Sequence, residues 1–320
     1  MRLVGVPLWI VVLASCSLKR DVFEGISAGG SPGDAAVAED AGGRDTSDTS
    51  DASPMPDAVA TGDAGPDGGP DAMPAALGTR DNPARDCGQL LASALPSAVY
   101  WVHGPDSAAP AFQVYCEQQL NGGGWALLEN SVRRTDGTTT TFWQFSYDQR
   151  LARIGVASPD ENYYDGSLYT IGTSYMDVFV DLRGGLAVAA TMTASGIDTD
   201  AMRFTDPAFV GPEGTGGTGG LLRVYQQQFA AGWSSKDHDG DLYTGPLGGG
   251  NCATYYSNVA QHYGTCWYYN LGSDAGESGP PWDFAGPHVE NGVLGDLGLA
   301  LEADGGPYSQ VQRIARFTRW

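Results

Sequence analysis

Apolar and polar positions alternate in several short runs of this chain, and the period of the alternation is two. Phe112, Val114 and Cys116 take every second place in AFQVYCEQQ, and YMDVFVDL (175–182), LAVAATMTA (186–194) and LGLALEA (297–303) behave similarly. A period of two puts one set of side chains on one face, so each run predicts a strand. NGGGW (121–125), RGG (183–185) and GTGGTGG (214–220) separate them and read as turns. CGQLLASAL (87–95) predicts a short helix, while LLRVYQQQFAAGW (221–233) fits strand and helix alike. The pattern predicts an α+β domain that is rich in strand.

The first 80 residues have neither period. MRLVGVPLWIVVLASC pairs Arg2 with an apolar stretch from Leu3 to Ala14 and ends in small residues before a cysteine, which marks residues 1–15 as an export signal. The stretch falls short of the about 20 apolar residues that a membrane-spanning helix needs. Leu13-Ala14-Ser15-Cys16 is similar to a bacterial lipobox, which implies lipidation at Cys16, an extracytoplasmic location and a membrane contact through that lipid alone. An outer-membrane or cell-surface position is the expectation that Ser17 adds. From Cys16 to Arg80 the chain is mostly Asp, Ala, Gly, Pro, Ser and Thr. Such a composition cannot bury enough apolar surface to offset the entropy of ordering, so 16–80 reads as a disordered acidic tether and 81–320 as the folded domain.

Charge narrows the partners. The formal net charge is −21 and no basic run occurs, which argues against nucleic acid and against anionic lipid headgroups. With Cys16 assigned to the lipid, Cys87, Cys116, Cys252 and Cys266 remain, an even number in an exported chain. Two disulfides are expected, and of three possible pairings sequence proximity favours Cys87 with Cys116 and Cys252 with Cys266. A zinc site from the same four lacks any C-x-x-C pair.

Enzyme motifs are missing: the chain has no G-x-S-x-G, no H-E-x-x-H and no G-K-[ST]. The G-x-G-x-x-G at Gly214, Gly216 and Gly219 sits in a repetitive turn rather than between a strand and a helix. His103, His238, His262 and His288 show no metal-ligand spacing. A non-enzymatic role is expected.

KDHDGDLYTGP, residues 236–246, places Asp237, Asp239 and Asp241 at alternate positions. An EF-hand would need glycine and glutamate where Leu242 and Gly248 stand, so that loop type fails. An unliganded acidic turn stays open on these residues alone. Three stretches, DCGQLLASALPSAVYWVHGP, FQVYCEQQLNGGGWALL and WSSKDHDGDLYTGPLGGGNCATYYSNVAQHYGTCWYYNLG, resemble in this order parts of the fibrinogen C-terminal globular domain, the module of ficolins and tachylectins. The family's two short-range disulfides follow the order proposed above.

The resemblance implies a β-rich domain with short helices and a loop-rich calcium-binding subdomain. Asp239 and Asp241 would supply carboxylates to calcium, and Tyr243 and Gly245 backbone carbonyls, with Asp237 behind them shaping the loop. It also implies a pocket beside the loop, in which Tyr256 packs on an acetyl methyl or sugar ring and the amides of Cys266 and Trp267 meet its oxygen. QHYGT before Cys266, the tryptophan after it and Gly248-Gly249-Gly250 depart from the family pattern. The expected function is a tethered, calcium-dependent, lectin-like module for carbohydrate or acetylated ligands. The alternative is an adhesion or scaffolding domain that binds a surface protein, with calcium purely structural. Tyr255, Trp267, Tyr268 and Tyr269 serve equally well as a small core beneath the loop.

Overall fold

The C-terminal strand Arg313–Arg319 runs up the middle of the main sheet, between Trp125–Val132 on one side and Ser174–Val180 on the other. The computed structural model describes residues 75–134, 136, 138–211, 221–266, 268–272, 286–302 and 308–320. Outward from the central strand the order continues through Phe112–Glu117 to Ala98–Val102 on one flank and through Leu186–Thr193 to Ala208–Val210 on the other. Every pair along this path is antiparallel. The domain is therefore a β-rich α+β fold, as the alternation predicted.

Both faces of this sheet are covered. On one face Trp125, Leu127, Met176, Val178, Ala315 and Phe317 form a smaller cluster. On the other, Leu128, Tyr175, Phe179 and Ile314 join the main core with Trp143, Tyr164, Trp233 and Leu294. A strand covered on both faces needs no polar alternation. That is why Trp125–Val132 shows no alternation, opening on four apolar residues and burying Glu129, Asn130 and Ser131 after them, and a register shift at Arg316/Phe317 further blurs the period of its neighbour.

The strand Arg313–Arg319 also buries a charge. Arg316 is 3 % exposed; its Nε and Nη2 donate to the two carboxylate oxygens of Asp177 at 2.7 and 2.8 Å. Its Nη1 reaches the Tyr169 hydroxyl at 2.8 Å, and its Nη2 the Tyr269 hydroxyl at 2.5 Å. Tyr169 in turn donates to Glu129 Oε1 at 2.5 Å. Burial raises the Glu129 pKa, with Arg316 and the Tyr169 hydroxyl pulling the other way. Every polar group in this cluster has a partner, which a buried charge requires if it is not to destabilise the fold.

Four expectations meet the structure directly. Cys87–Ala92 is a helix, capped by Asp86, whose carboxylate accepts the Gln89 N–H at 2.7 Å. Leu221–Gln228 is helical, which settles the ambiguous segment. LGLALEA forms no strand over its described residues, 297–302. Leu297 ends the helix Asn291–Asp296, Gly298 follows at φ +68°, and the Ala300 N–H is taken by Asp181 Oδ2 at 2.8 Å, so these residues have no sheet partner among the described residues. The folded part also begins before Asp81: the Trp101 N–H donates to the Gly78 carbonyl at 2.9 Å and Leu77 packs on the main core. Residues 1–74, with Cys16 and most of the tether, and the run GTGGTGG lie outside the described residues.

Both disulfides form as expected. Cys87 joins Cys116 with Cα atoms 5.5 Å apart, and Cys252 joins Cys266 at 5.3 Å. Two disulfides belong to an oxidising compartment. No helix among the described residues is long and apolar enough to cross a membrane.

Candidate functional site

The aspartate run leaves the strand Trp233–Ser234 and passes back over it. Gly240 packs so tightly against this strand that a Cβ would sit 2.5 Å from the Trp233 carbonyl oxygen, so only glycine fits. The Gly232 N–H donates to the Gly240 carbonyl and the Gly240 N–H to the Ser234 hydroxyl, at 2.9 and 3.0 Å.

The three aspartates have three different jobs. Asp237 Oδ1 accepts the Tyr147 N–H at 2.9 Å and the Ser235 hydroxyl at 2.7 Å. Partial burial pushes its carboxyl up, but the Ser235 hydroxyl and the Tyr147 N–H outweigh this and hold it below the usual value. It anchors the loop to the segment Tyr147–Gln149, where the His238 ring also stacks on Tyr147 with centroids 3.7 Å apart. Asp239 is exposed and its carboxylate makes one long contact, accepting the Asp241 N–H at 3.3 Å.

Asp241 is half-buried and takes more. Its Oδ2 accepts the Cys252 N–H at 2.8 Å and the Ser234 hydroxyl at 3.3 Å, and its Oδ1 accepts the Tyr243 N–H at 2.8 Å. Desolvation raises its pKa and the charge of Asp239 adds to this, while the N–H groups of Cys252 and Tyr243 oppose both.

A second line of bonds ties the loop to the disulfide segment. The Leu242 N–H donates to the Gly264 carbonyl at 2.9 Å, and the Gly264 N–H to the Cys266 carbonyl at 3.0 Å. Asn251 caps the short helix Cys252–Tyr255 by accepting the Thr254 N–H at 3.2 Å. Its amide nitrogen donates back to the carbonyls of Ser235 and His238 at 2.9 and 3.2 Å. Asn251 and Asp241 therefore clamp the loop against the disulfide from both sides.

The fit of a hard cation can be tested on the oxygens. The carbonyl oxygens of Tyr243 and Gly245 lie 3.8 and 3.9 Å from the point where Gly250 would carry a Cβ, so both face the same bare spot. Gly250 has φ +98°, and a side chain there would be strained. Carboxylate and carbonyl oxygens are the donors calcium takes, and they suit it better than a transition metal. Among the described residues no group of three or more His, Cys, Asp or Glu side chains is placed to hold a metal. A calcium site here would rest on two carboxylates and two carbonyls.

The expected pocket residues are partly gathered. Tyr256 is half-buried and packs with Tyr243, Cys266 and Tyr308 around Cys252, Ala253 and Tyr263. Its ring lies nearly parallel to Tyr263 with centroids 6.4 Å apart, and edge-on to Tyr255 at 4.7 Å. Cys266 has φ +94°, a conformation that L side chains adopt only where the surroundings impose it. Among the described residues no acceptor takes its N–H. Trp267 lies outside the described residues. Tyr269 stands apart from this group, in the main core against Phe179 and Tyr225.

Two features escape sequence reading. Nothing along the chain announces that Asp241 reaches the Cys252 amide, because the bond spans 11 residues across a turn. His262 and His288 are buried, and burial lowers their pKa values to about 3 and about 4. Their flanking apolar residues, VAQHYG and GPHVE, are the available signal.

Comparison with known proteins points one way. A family profile for the C-terminal globular domain of fibrinogen β and γ chains matches residues 83–294. Among solved structures, the fibrinogen-like globe domain of human ANGPTL2 is similar at 19% identity and TM-score 0.50, covering 74% of this chain and 99% of its own. That of human ANGPTL6 is similar at 22% identity and TM-score 0.48, covering 74% and 96%. A search of curated protein sequences found no match.

Proposed function

The chain belongs to the family of fibrinogen C-terminal globular domains, and on that premise we propose that it is a tethered extracytoplasmic recognition module whose calcium-braced loop holds a carbohydrate or acetylated ligand. Domains of this family are typically binding modules rather than enzymes.

One observation carries the reading. Asp241 accepts the N–H of Cys252, so the residue that would ligate calcium is bonded directly to the disulfide segment that bears Tyr256 and Cys266. An ion held by Asp239, Asp241 and the carbonyls of Tyr243 and Gly245 would fix the loop. Through Asp241 and the Leu242 to Gly264 bond it would fix the pocket's frame as well. Tyr256 would give an aromatic face to a methyl or sugar ring, and the Cys266 amide would donate to the acetyl oxygen. Lipid on Cys16 would tether the module to a membrane through an acidic linker, which self-repulsion extends.

A glycan array of the full chain with calcium and with chelator tests this. Binding to acetylated or other sugars that chelator abolishes is the expected result. A silent array, on a protein that calcium still stabilises, would overturn the lectin reading in favour of a protein partner with calcium purely structural. For the tether, Cys16→Ala should move the protein from the membrane to the soluble fraction, and a variant that stays on membranes would refute it.

A further inference from the structure

A cleft of about 330 Å³ opens beside the other disulfide and shares no residue with the loop site. Three stretches wall it, brought together only by the fold: Arg85–Gly88 at the head of the first helix, Gly122–Gly124 in the hairpin turn, and Thr318–Trp320 at the end of the central strand. Such a volume is at the lower end of the range for small-ligand sites, about 300–1,000 Å³.

Its donors outnumber its acceptors. Arg319 donates through Nη2 to the carbonyls of Asn121, at 3.1 Å, and Gly123, and its guanidinium lies 3.7 Å from the Trp125 ring centroid. These contacts hold it in one place, yet no carboxylate among the described residues pairs with it. Arg85, which lines the same cleft, keeps 73 % of its side chain exposed while its Nε donates to Asp86 at 2.7 Å.

The remaining wall suits close approach. Gly122, Gly123 and Gly124 all have positive φ, at +80°, +69° and +74°, so the hairpin presents bare backbone to the cleft. The amides of Gly123 and Gly124 are already spent on the Leu120 carbonyl and the Gln118 side chain. Charge is therefore supplied by the two guanidinium groups, in a chain whose overall charge is −21. The Asp86 carboxylate stands between them and can accept from hydroxyl groups.

We propose that this cleft is a second ligand site that takes an acidic monosaccharide, a uronate. Its carboxylate lies between Arg319 and Arg85, and its ring hydroxyls face Asp86. Guanidinium groups match a carboxylate in shape as well as charge, which gives the site its preference for an acid over a neutral sugar.

Isothermal titration of the full chain with glucuronate, glucose and N-acetylglycine tests the proposal. Glucuronate should bind equally well in calcium and in chelator, and at least about tenfold more tightly than glucose. Arg85→Glu, at an exposed side chain, should weaken glucuronate binding about tenfold or more and leave the melting temperature unchanged. Arg319→Gln should weaken it too, with circular dichroism confirming the fold. Equal affinity for glucose and glucuronate would overturn the proposal, as would indifference to Arg85→Glu. N-acetylglycine bound as tightly as glucuronate would assign the cleft to a chain-end carboxylate instead. Binding lost in chelator would place the sugar at the calcium loop, and no heat with the folded chain at about 10 mM glucuronate would mean that no site exists.

Discussion

Asp239→Asn and Asp241→Asn separate calcium binding from loop architecture, because the structure gives the two carboxylates unequal work. Asp239 is exposed and accepts one N–H at 3.3 Å. Its substitution should change stability in chelator by no more than about 0.5 kcal/mol, the usual span for a surface change. Asp241 accepts N–H groups from Cys252 and Tyr243, both at 2.8 Å. An asparagine offers one oxygen and an NH₂ group, so one of those N–H donors would face another donor. Leaving a donor unpaired costs about 1–3 kcal/mol, and half-burial places this loop in the lower half of that range. Calcium adds a separate amount. An ion that binds only the folded loop stabilises by about 2.7 kcal/mol at a concentration a hundredfold above its dissociation constant. In a domain of this size that corresponds to a rise in melting temperature of about 5–11 °C. Differential scanning calorimetry of wild type and both variants, in millimolar calcium and in chelator, reads both amounts. Asp239→Asn should melt with wild type in chelator and show no calcium shift. Asp241→Asn should melt lower in chelator and also show no shift. If wild type melts at the same temperature in both buffers, the loop holds no calcium. An Asp241→Asn variant that matches wild type in chelator would refute its role as the clamp on Cys252.

The domain should lose stability steeply in acid because His262 and His288 are buried: their unfolded imidazoles bind a proton near pH 6.5, the folded ones only near pH 3 and pH 4. The unfolded chain therefore holds more protons across this window, and stability present above about pH 6.5 falls with pH by up to about 1.4 kcal/mol per unit for each histidine. Chemical denaturation across pH 4–8 checks this, and His262→Gln should flatten the acid limb; an equally steep limb would refute the assignment. Arg316→Met should destabilise by about 3–5 kcal/mol, since it leaves Asp177 and Glu129 buried without their cation. Urea unfolding measures it, and a loss below about 1 kcal/mol would mean the buried network relaxes freely. Limited proteolysis should stop near Ala75 rather than at Asp81, because Leu77 and Gly78 are packed against the core and Trp101. A stable fragment that begins after Arg80 would refute that.

The chain by itself determined a good deal, and for local reasons. Period-two alternation located Phe112–Glu117, Ser174–Val180 and Leu186–Thr193, because each pattern is written in adjacent residues. An even count of cysteines, close in sequence, led to the correct pairing, since short loops close at the least entropic cost. Alternation misled at LGLALEA, where Gly298 and the Asp181 carboxylate claim the backbone that a strand would have used. It was silent on Arg313–Arg319, where cover on both faces removes the polar rhythm and the one buried charge of the three arginines, Arg316, is satisfied by Asp177, 139 residues away. The aspartate run shows the same division. Its spacing and its resemblance marked Asp239 and Asp241 as candidate ligands, but only the tertiary structure assigned each carboxylate its partners. It turned Asp237 toward Tyr147, left Asp239 to solvent and bound Asp241 to Cys252. Hydrogen bonds between residues far apart in the chain depend on where the backbone returns, and the return is set by packing of the whole core rather than by any local run of residues.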